Sequence, residues 1–287
     1  MKITNKLNLP QPFVSAVGRD YEIRDNALSA TTLLKGTKQI VLERRHANSI
    51  EQDVADMIWL IFGTAVHNIL EAAQETESQI KEERLYRKVN DIEIGGQFDL
   101  YDDKQKKVID YKTCSVWKII YQDFEDWKQQ LLIYAWLLKD CGFEVTSGQV
   151  VAVMKDHSKT KAKNDAQYPE FPVKLIDFEF TESDFAQIEI FIQTKVEDYK
   201  RALTLNDDDI AICSEKERWY TGTKYAIMKG SNKRATKLHD TKVAAEAHLL
   251  ELGKGYSIVK RDGESKRCLE YCSVKEYCHY GRGLNNE

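Results

Sequence analysis

Two aspartates and a lysine stand at a spacing that can hold a divalent cation. Gly96-Gln-Phe-Asp99 is followed by Val108-Ile-Asp110-Tyr-Lys112. Residues 110 and 112 are two apart, so on a strand their side chains leave the same face. A hairpin centred between Lys104 and Gln105 sets Asp99 opposite Asp110, where Cβ atoms lie only about 4.5–5.5 Å apart and like charges repel. Such a pair persists most readily with a cation between the carboxylates. Two carboxylates and a backbone carbonyl make an oxygen-rich site suited to Mg²⁺ or Mn²⁺. Lys112 can then orient or activate a water beside the ion, or stabilise charge developing on a phosphate. The plain alternative is an exposed hairpin whose charges solvate one face. Phe98, Leu100, Val108 and Ile109 make the hairpin half-buried instead, where inward acids are costly unless paired.

Two further segments carry residues of the same kind. In Gly63-Thr-Ala-Val-His67-Asn-Ile-Leu-Glu71 the residues Gly63, His67 and Glu71 are four apart and share a helical face. A neutral imidazole at His67 would complete a site otherwise made of oxygens; a satisfied core histidine is the alternative. Gln130-Leu-Leu-Ile-Tyr134 is again an i, i+4 pair, with Tyr134 also part of an apolar stripe.

Elements must bring these segments together. The first apolar anchors at helical spacing are Leu33, Leu34, Ile40 and Leu42, and Ser49-Ile-Glu-Gln52 reads as a capping box opening a helix towards Glu71, with a break near Gly63. Leu85 to Val89, Ile92 to Tyr101 and Lys107 to Lys112 alternate as strands. Trp127, Leu131, Tyr134 and Leu138 predict an amphipathic helix over roughly 120–139. Gly148 to Met154 and Val173 to Phe180 read as strands, and Ser183 to Leu203 as a helix. This is an α/β layering with one core.

Past Asn206-Asp-Asp-Asp209 the character changes. A hairpin is expected around Gly230-Ser-Asn, then a short helix from Thr241 to Leu252 and three cysteines, Cys268, Cys272 and Cys278. Residues 216–267 hold 13 Lys or Arg against 6 Asp or Glu, a local +7 in a protein of net charge −4. That excess reads as a solvated face or a polyanion contact. The expected domains are 1–205 and 206–287.

The ordered set Gly63…His67, Gly96…Asp99, Asp110-x-Lys112 and Gln130…Tyr134 resembles the PD-(D/E)XK nuclease superfamily, most nearly its RecB-like branch and the phage-type exonucleases. The resemblance spans about residues 28–200. It implies a restriction-endonuclease-like α/β core, a central mixed sheet flanked by helices, with a small α+β cysteine-containing appendage. It also implies hydrolysis of DNA phosphodiesters with Mg²⁺ or Mn²⁺. By position, His67, Asp99, Asp110 and the Tyr111 carbonyl hold metal; Lys112 assists the water, and Gln130 and Tyr134 organise the substrate phosphate or the active-site helix. Asp110 stands where many relatives carry Glu. A structure- or sequence-specific endonuclease, or a non-cleaving recombination scaffold, are the alternatives. DNA is the implied partner, with a phage single-strand annealing protein as a second.

Arg267-Cys268-Leu-Glu-Tyr-Cys272-Ser-Val-Lys-Glu-Tyr-Cys278 is similar to the terminal three cysteines of four-cysteine RecB-family nucleases, including the CRISPR-associated adaptation nucleases. Their fourth cysteine lies near the first helix, where Leu33-Leu-Lys-Gly-Thr-Lys-Gln has none. Cys213 is the replacement expected here, giving a Cys₄ centre for Zn²⁺ or an iron–sulfur cluster, with His279 as an outside candidate. Cys114 and Cys141 fall outside the pattern.

Composition sets the frame. With 287 residues, 42% hydrophobic and 31% charged, a globular chain is expected rather than a disordered one. The longest uncharged stretch, Met57 to Leu70, is short for a bilayer span, and the first residues lack the apolar run of a secretory signal. Six cysteines are too few for a disulfide scaffold, so reduced thiols and a cytoplasmic setting are expected. No Gly-x-x-x-x-Gly-Lys-Ser/Thr loop is present, so any helicase partner would be a separate chain.

Overall fold

The alternating runs of the sequence form strands, but they serve two sheets rather than one. The computed structural model describes residues 2–18, 24 and 26–284. The chain falls into two compact units, Met1–Leu205 and Asn206–Glu287.

The first unit opens with β1 (Lys2–Thr4), α1 (Gln11–Val17), β2 (Ala27–Ser29), α2 (Ala30–Leu33), α3 (Thr37–Arg45), β3 (Glu51–Asp53) and α4 (Ile58–Glu71). Then come β4 (Gln79–Lys81), β5 (Arg84–Val89), β6 (Ile92–Gln97), β7 (Leu100–Asp102) and β8 (Lys107–Cys114). The unit closes with α5 (Val116–Tyr121), α6 (Glu125–Asp140), β9 (Ser147–Met154), α7 (Lys159–Asn164), β10 (Val173–Glu179) and α8 (Glu182–Leu203). A five-stranded sheet runs β10-β9-β8-β7-β4, with β8 and β9 parallel and the other pairs antiparallel. A smaller sheet runs β2-β6-β5, and β1 pairs with β3. This is the α/β architecture the sequence implies, a mixed central sheet flanked by helices.

Helix α6 ties the two sheets together, packing on β8 and β9 of one and on β5 and β6 of the other. Its residues are therefore buried without a break from Gln130 to Leu138. The apolar stripe read from the sequence is only one side of a helix enclosed on most sides. Gly96 of β6 shows how close the approach is: a Cβ there would lie 2.6 Å from Leu137 Cδ1 and 3.0 Å from the Tyr134 ring.

Several expectations are corrected. Ser49–Gln52 is no capping box, because Glu51–Asp53 pairs as a strand with Lys2–Thr4. Asp53 caps the following turn, its carboxylate accepting from Ala55 N–H. Helix α4 is continuous through Gly63. The single strand expected over 92–101 breaks at Phe98–Asp99, handing the chain from one sheet to the other. The helix expected from about 120 starts at Glu125, because Gln122 takes a left-handed conformation (φ 53°) that ends α5. The helical stretch Val54–Glu71, with its flanks counted, is by length and composition apolar enough to cross a membrane. In the folded unit it packs instead on β8.

The second unit holds β11 (Lys224–Lys229), β12 (Lys237–His239), α9 (Lys242–Leu252), β13 (Tyr256–Arg261) and α10 (His279–Gly283). The expected hairpin gains a third strand: the antiparallel order is β12-β11-β13, with α9 packed against all three.

Candidate active site

Strand register brings three carboxylates into one row. β7 pairs with β8 as Leu100↔Ile109, and with β4 as Lys81↔Leu100. One step further along both ladders, Asp99 stands between Glu82 and Asp110. The Glu82 N–H donates to the Asp99 carbonyl at 3.2 Å, and the Tyr111 N–H donates to Asp99 Oδ2 at 2.5 Å. One backbone bond thus holds Glu82 beside Asp99, and the Tyr111 N–H holds the Asp99 carboxylate beside β8, so the acids stay close despite their repulsion.

Asp99 and Asp110 are buried, at 7% and 3% exposure. Helix α4 delivers His67, whose Nδ1 lies 3.2 Å from Asp99 Oδ1. This hydrogen bond raises the imidazole pKa, against the opposing effect of its partial burial. The ligand atoms of His67, Glu82 and Asp99 all lie within 4.8 Å of one another. Asp110 is outside this compact set and turns towards Lys112, with Oδ2 2.7 Å from Nζ. Among the described residues that ammonium is the partner of the buried Oδ2. Burial pushes the Asp110 carboxyl up to about 6, with Lys112 pulling the other way and Asp99 adding to the rise. Burial likewise raises the Glu82 carboxyl, which accepts from Gln97 Nε2 at 2.5 Å.

Helix α6 supplies the far wall. Gln130 Nε2 donates to the Tyr134 hydroxyl at 2.7 Å and makes a long contact, 3.5 Å, with Asp110 Oδ1. Burial raises the Tyr134 hydroxyl far above its ordinary range, so it stays protonated. The Tyr111 ring stands 6.2 Å from the His67 ring, centroid to centroid. An open cleft of about 500 Å³ reaches from Glu82 and His67 along α4 to Trp59.

His67, Asp99, Asp110, Lys112, Gln130 and Tyr134 are therefore brought together, and Tyr111 lies among them. Glu71 is exposed at the cleft and outside the compact ligand set. Glu82 is the residue that sequence reasoning missed. Its signal was weak, since Lys81-Glu-Glu-Arg84 reads as a polar turn, and only the three-residue strand β4 puts Glu82 in line with Asp99.

The donor set suits a hard divalent cation: two carboxylates and an imidazole whose ligand atoms lie close together, with a third carboxylate beside them. In the second unit, burial raises the Cys268 thiol first, and Cys272 and Cys278 add to the rise. Arg218 bonds both the Cys213 carbonyl (2.9 Å) and the Ser265 hydroxyl (3.0 Å), drawing the Cys213 backbone towards the same segment. His279 pairs with Asp208 at 3.8 Å. Cys114 is part-buried in the first unit, its thiol pushed up to about 11 by burial and Asp156.

No protein family and no curated protein matches the chain. Among solved structures, SSO0001 is 18% identical, covering 64% of this chain and 81% of that chain with a TM-score of 0.45. The alkaline exonuclease LHK-Exo of Laribacter hongkongensis is 11% identical, covering 63% of this chain and 91% of that one with a TM-score of 0.40. A phage-related exonuclease of Haemophilus somnus 129PT is 14% identical, covering 59% and 74% with a TM-score of 0.31. All three likenesses are distant.

Proposed function

We propose that this chain is a metal-dependent nuclease that hydrolyses DNA phosphodiester bonds from an end. One observation carries the reading. Glu82 and Asp99 sit at the ends of β4 and β7, joined by a backbone bond, with Asp110 on the adjacent β8, His67 against Asp99 and the Lys112 ammonium 2.7 Å from the buried Asp110 carboxylate. Lys112 and His67 offset part of the repulsion among three neighbouring carboxylates, and a cation would offset the rest.

His67, Glu82, Asp99 and Asp110, with the Tyr111 carbonyl, would hold Mg²⁺ or Mn²⁺. Bound there, the ion supplies Lewis acidity at a phosphoryl oxygen and a water made easier to deprotonate. The rest falls to the chain. Lys112 neutralises Asp110 and stabilises charge gathering on the phosphate. The protonated Tyr134 fixes Gln130, which points its amide at Asp110 and holds the carboxylate in place. His67 braces Asp99 from the helix side.

The cysteines Cys213, Cys268, Cys272 and Cys278 are proposed to share one Zn²⁺ or iron–sulfur centre that sets the basic three-stranded sheet against DNA. Residues 218–239 support the contact, with six Lys or Arg and no Asp or Glu. A phage or mobile-element setting and a single-strand annealing partner rest on the sequence resemblance alone, and cytoplasmic work on the cysteine usage.

The test is one assay of end-labelled linear DNA against covalently closed circles with Mg²⁺ or Mn²⁺. Linear DNA should disappear and circles survive. Rapid nicking of circles would make the chain an endonuclease; no cleavage with either ion would make it a binding scaffold.

A further inference from the structure

Helix α4 is built unlike the other long helices of the first unit. None of its fourteen residues is fully buried, although ten of them are apolar or glycine. Trp59 is 57% exposed and Leu60 53%, and both line the same cleft as His67 and Glu82. Trp59, Gly63 and His67 are spaced four apart, so they follow one another along a single face of the helix. From Trp59 to His67 is about 12 Å of helix axis at 1.5 Å per residue.

Gly63 lies between them for no packing reason. A Cβ there would meet only Thr113 Oγ1, at an ordinary 3.4 Å. Glycine inside a helix nevertheless costs about 1 kcal/mol relative to alanine. A helix that keeps glycine where alanine fits is keeping a channel clear beside it.

The apolar end of this channel is also cationic. Lys155 Nζ sits 3.8 Å over the Trp59 ring centroid, and the Phe62 ring meets the indole edge-on at 6.3 Å. Lys155 is held there because its N–H donates to the Cys114 carbonyl at the end of β8. Among the described residues, it has no carboxylate within ion-pair distance. An exposed indole with an ammonium on one face and a clear channel leading to a carboxylate row fits one chemistry. Flat bases on a polyanionic backbone use aromatic faces and cations together. A neutral lipid surface or an apolar contact with a second copy of the chain would use the aromatic residues but leave the ammonium and the polar line Thr64, His67 and Asn68 without a partner.

We propose that the Trp59–Gly63–His67 face of α4 is a groove for single-stranded DNA, in which one unpaired base stacks on Trp59 and its phosphate meets Lys155. The span to His67 corresponds to three or four nucleotides at the stacked spacing of about 3.4 Å, and to fewer in an extended strand. Which phosphate is then cut rests on the nuclease reading above; the stacking itself does not. On both readings together the enzyme takes a frayed or single-stranded end, with the unpaired base held some nucleotides from the bond that breaks.

The experiment measures binding in chelator, so that cleavage plays no part. Fluorescence anisotropy is recorded with a labelled 12-nucleotide oligo-dT and with its counterpart carrying abasic sites. Wild type should prefer the oligonucleotide with bases, and Trp59→Ala should lose about tenfold in affinity along with that preference. Trp59→Phe should keep most of both, and Lys155→Ala should lower the salt slope by about one phosphate contact. Gly63→Ala gives an independent check: the melting temperature should rise while oligonucleotide affinity falls. Unaltered dT binding in Trp59→Ala overturns the groove. So does a Trp59→Ala variant that loses self-association or vesicle binding while its DNA affinity stays unchanged. Base-dependent binding without cleavage of any DNA would leave the groove standing and remove the nuclease reading; cleavage without base dependence would do the reverse.

Discussion

The two units are stabilised by different means. In the first, α6 buries nine consecutive residues between two sheets, and the acids of the site sit at the ends of ladders in that core. Among the described residues the second unit buries few apolar side chains, Ile210, Ala226, Ile227, Ala245 and Val274. A core that small rarely supplies more than a few kcal/mol. Charge follows the same division. The first unit takes its acids inward, where burial raises Asp110 and Glu82, while the second carries its cations outward on short strands. On the proposed reading, the site that needs close placement lies on the well-packed unit, and the contact that needs only charge lies on the slight one.

The largest effect that sharpens this contrast lies in the first unit. Asp110→Ala and Lys112→Ala should each lower DNA hydrolysis by about 10²–10³-fold or more while the protein stays folded. Single-turnover rates with circular dichroism check this, and near-normal rates in either variant would move the chemistry elsewhere. Glu82→Gln comes next. It should raise the Mn²⁺ concentration for half-maximal activity, or the Kd from calorimetry, by about tenfold or more. An unchanged metal profile would return Glu82 to a structural turn.

The second unit should respond in the opposite sense, in order rather than in rate. A structural metal contributes about 10 kcal/mol or more to small metal-folded domains, and the proposed cysteine centre would do so here. Cys268→Ser should therefore make residues 206–287 sensitive to limited proteolysis and weaken DNA affinity most at 200 mM salt. Turnover of a saturating short substrate should hold. Zinc or iron analysis of protein purified without oxygen gives the direct reading. Metal-free protein with an ordered second unit would break the comparison. Within the first unit Gly96→Ala should cost about 1–3 kcal/mol, since its Cβ would strike Leu137 and Tyr134 and α6 must shift.

What was legible in the sequence follows from how far each signal reaches. The hairpin register was readable, because a turn centred at 104–105 and a period of two leave little choice. Helix α8 was readable from its apolar spacing, and its capping box of Thr181 and Asp184 is formed. Short strands were not. β4 has three residues and no pattern of its own, and without it Glu82 has no reason to face Asp99. The Ser49–Gln52 motif failed for a related reason: pairing with Lys2–Thr4, far away in sequence, overrode a local cap. The exposure of Trp59 was invisible too, since periodicity marks α4 as apolar without showing that the sheet covers only part of it.

The smallest effect concerns the stability that the site gives up to hold its acids. In chelator, Asp110 is a buried carboxyl raised to about 6, so its charged form is disfavoured in the folded state relative to the unfolded one. The sign follows from proton binding. Between the ordinary carboxyl value of 3.8 and about 6 the folded protein binds the proton more tightly, so folding is favoured as pH falls through 6 and opposed above it. Asp110→Asn removes that charge while keeping the shape. At pH 7.5 the metal-free variant should melt higher than wild type by at least about 2–4 °C, the shift that each kcal/mol of relieved penalty gives a domain of this size. The gain should shrink at pH 6, shrink further at pH 5, and be gone near the ordinary carboxyl range. Adding Mn²⁺ should reverse the order at pH 7.5, because only wild type regains a cation between its carboxylates. A gain that stays constant across pH would mean that the asparagine merely packs better. The raised carboxyl, and with it the repulsion that a metal would relieve, would then be wrong.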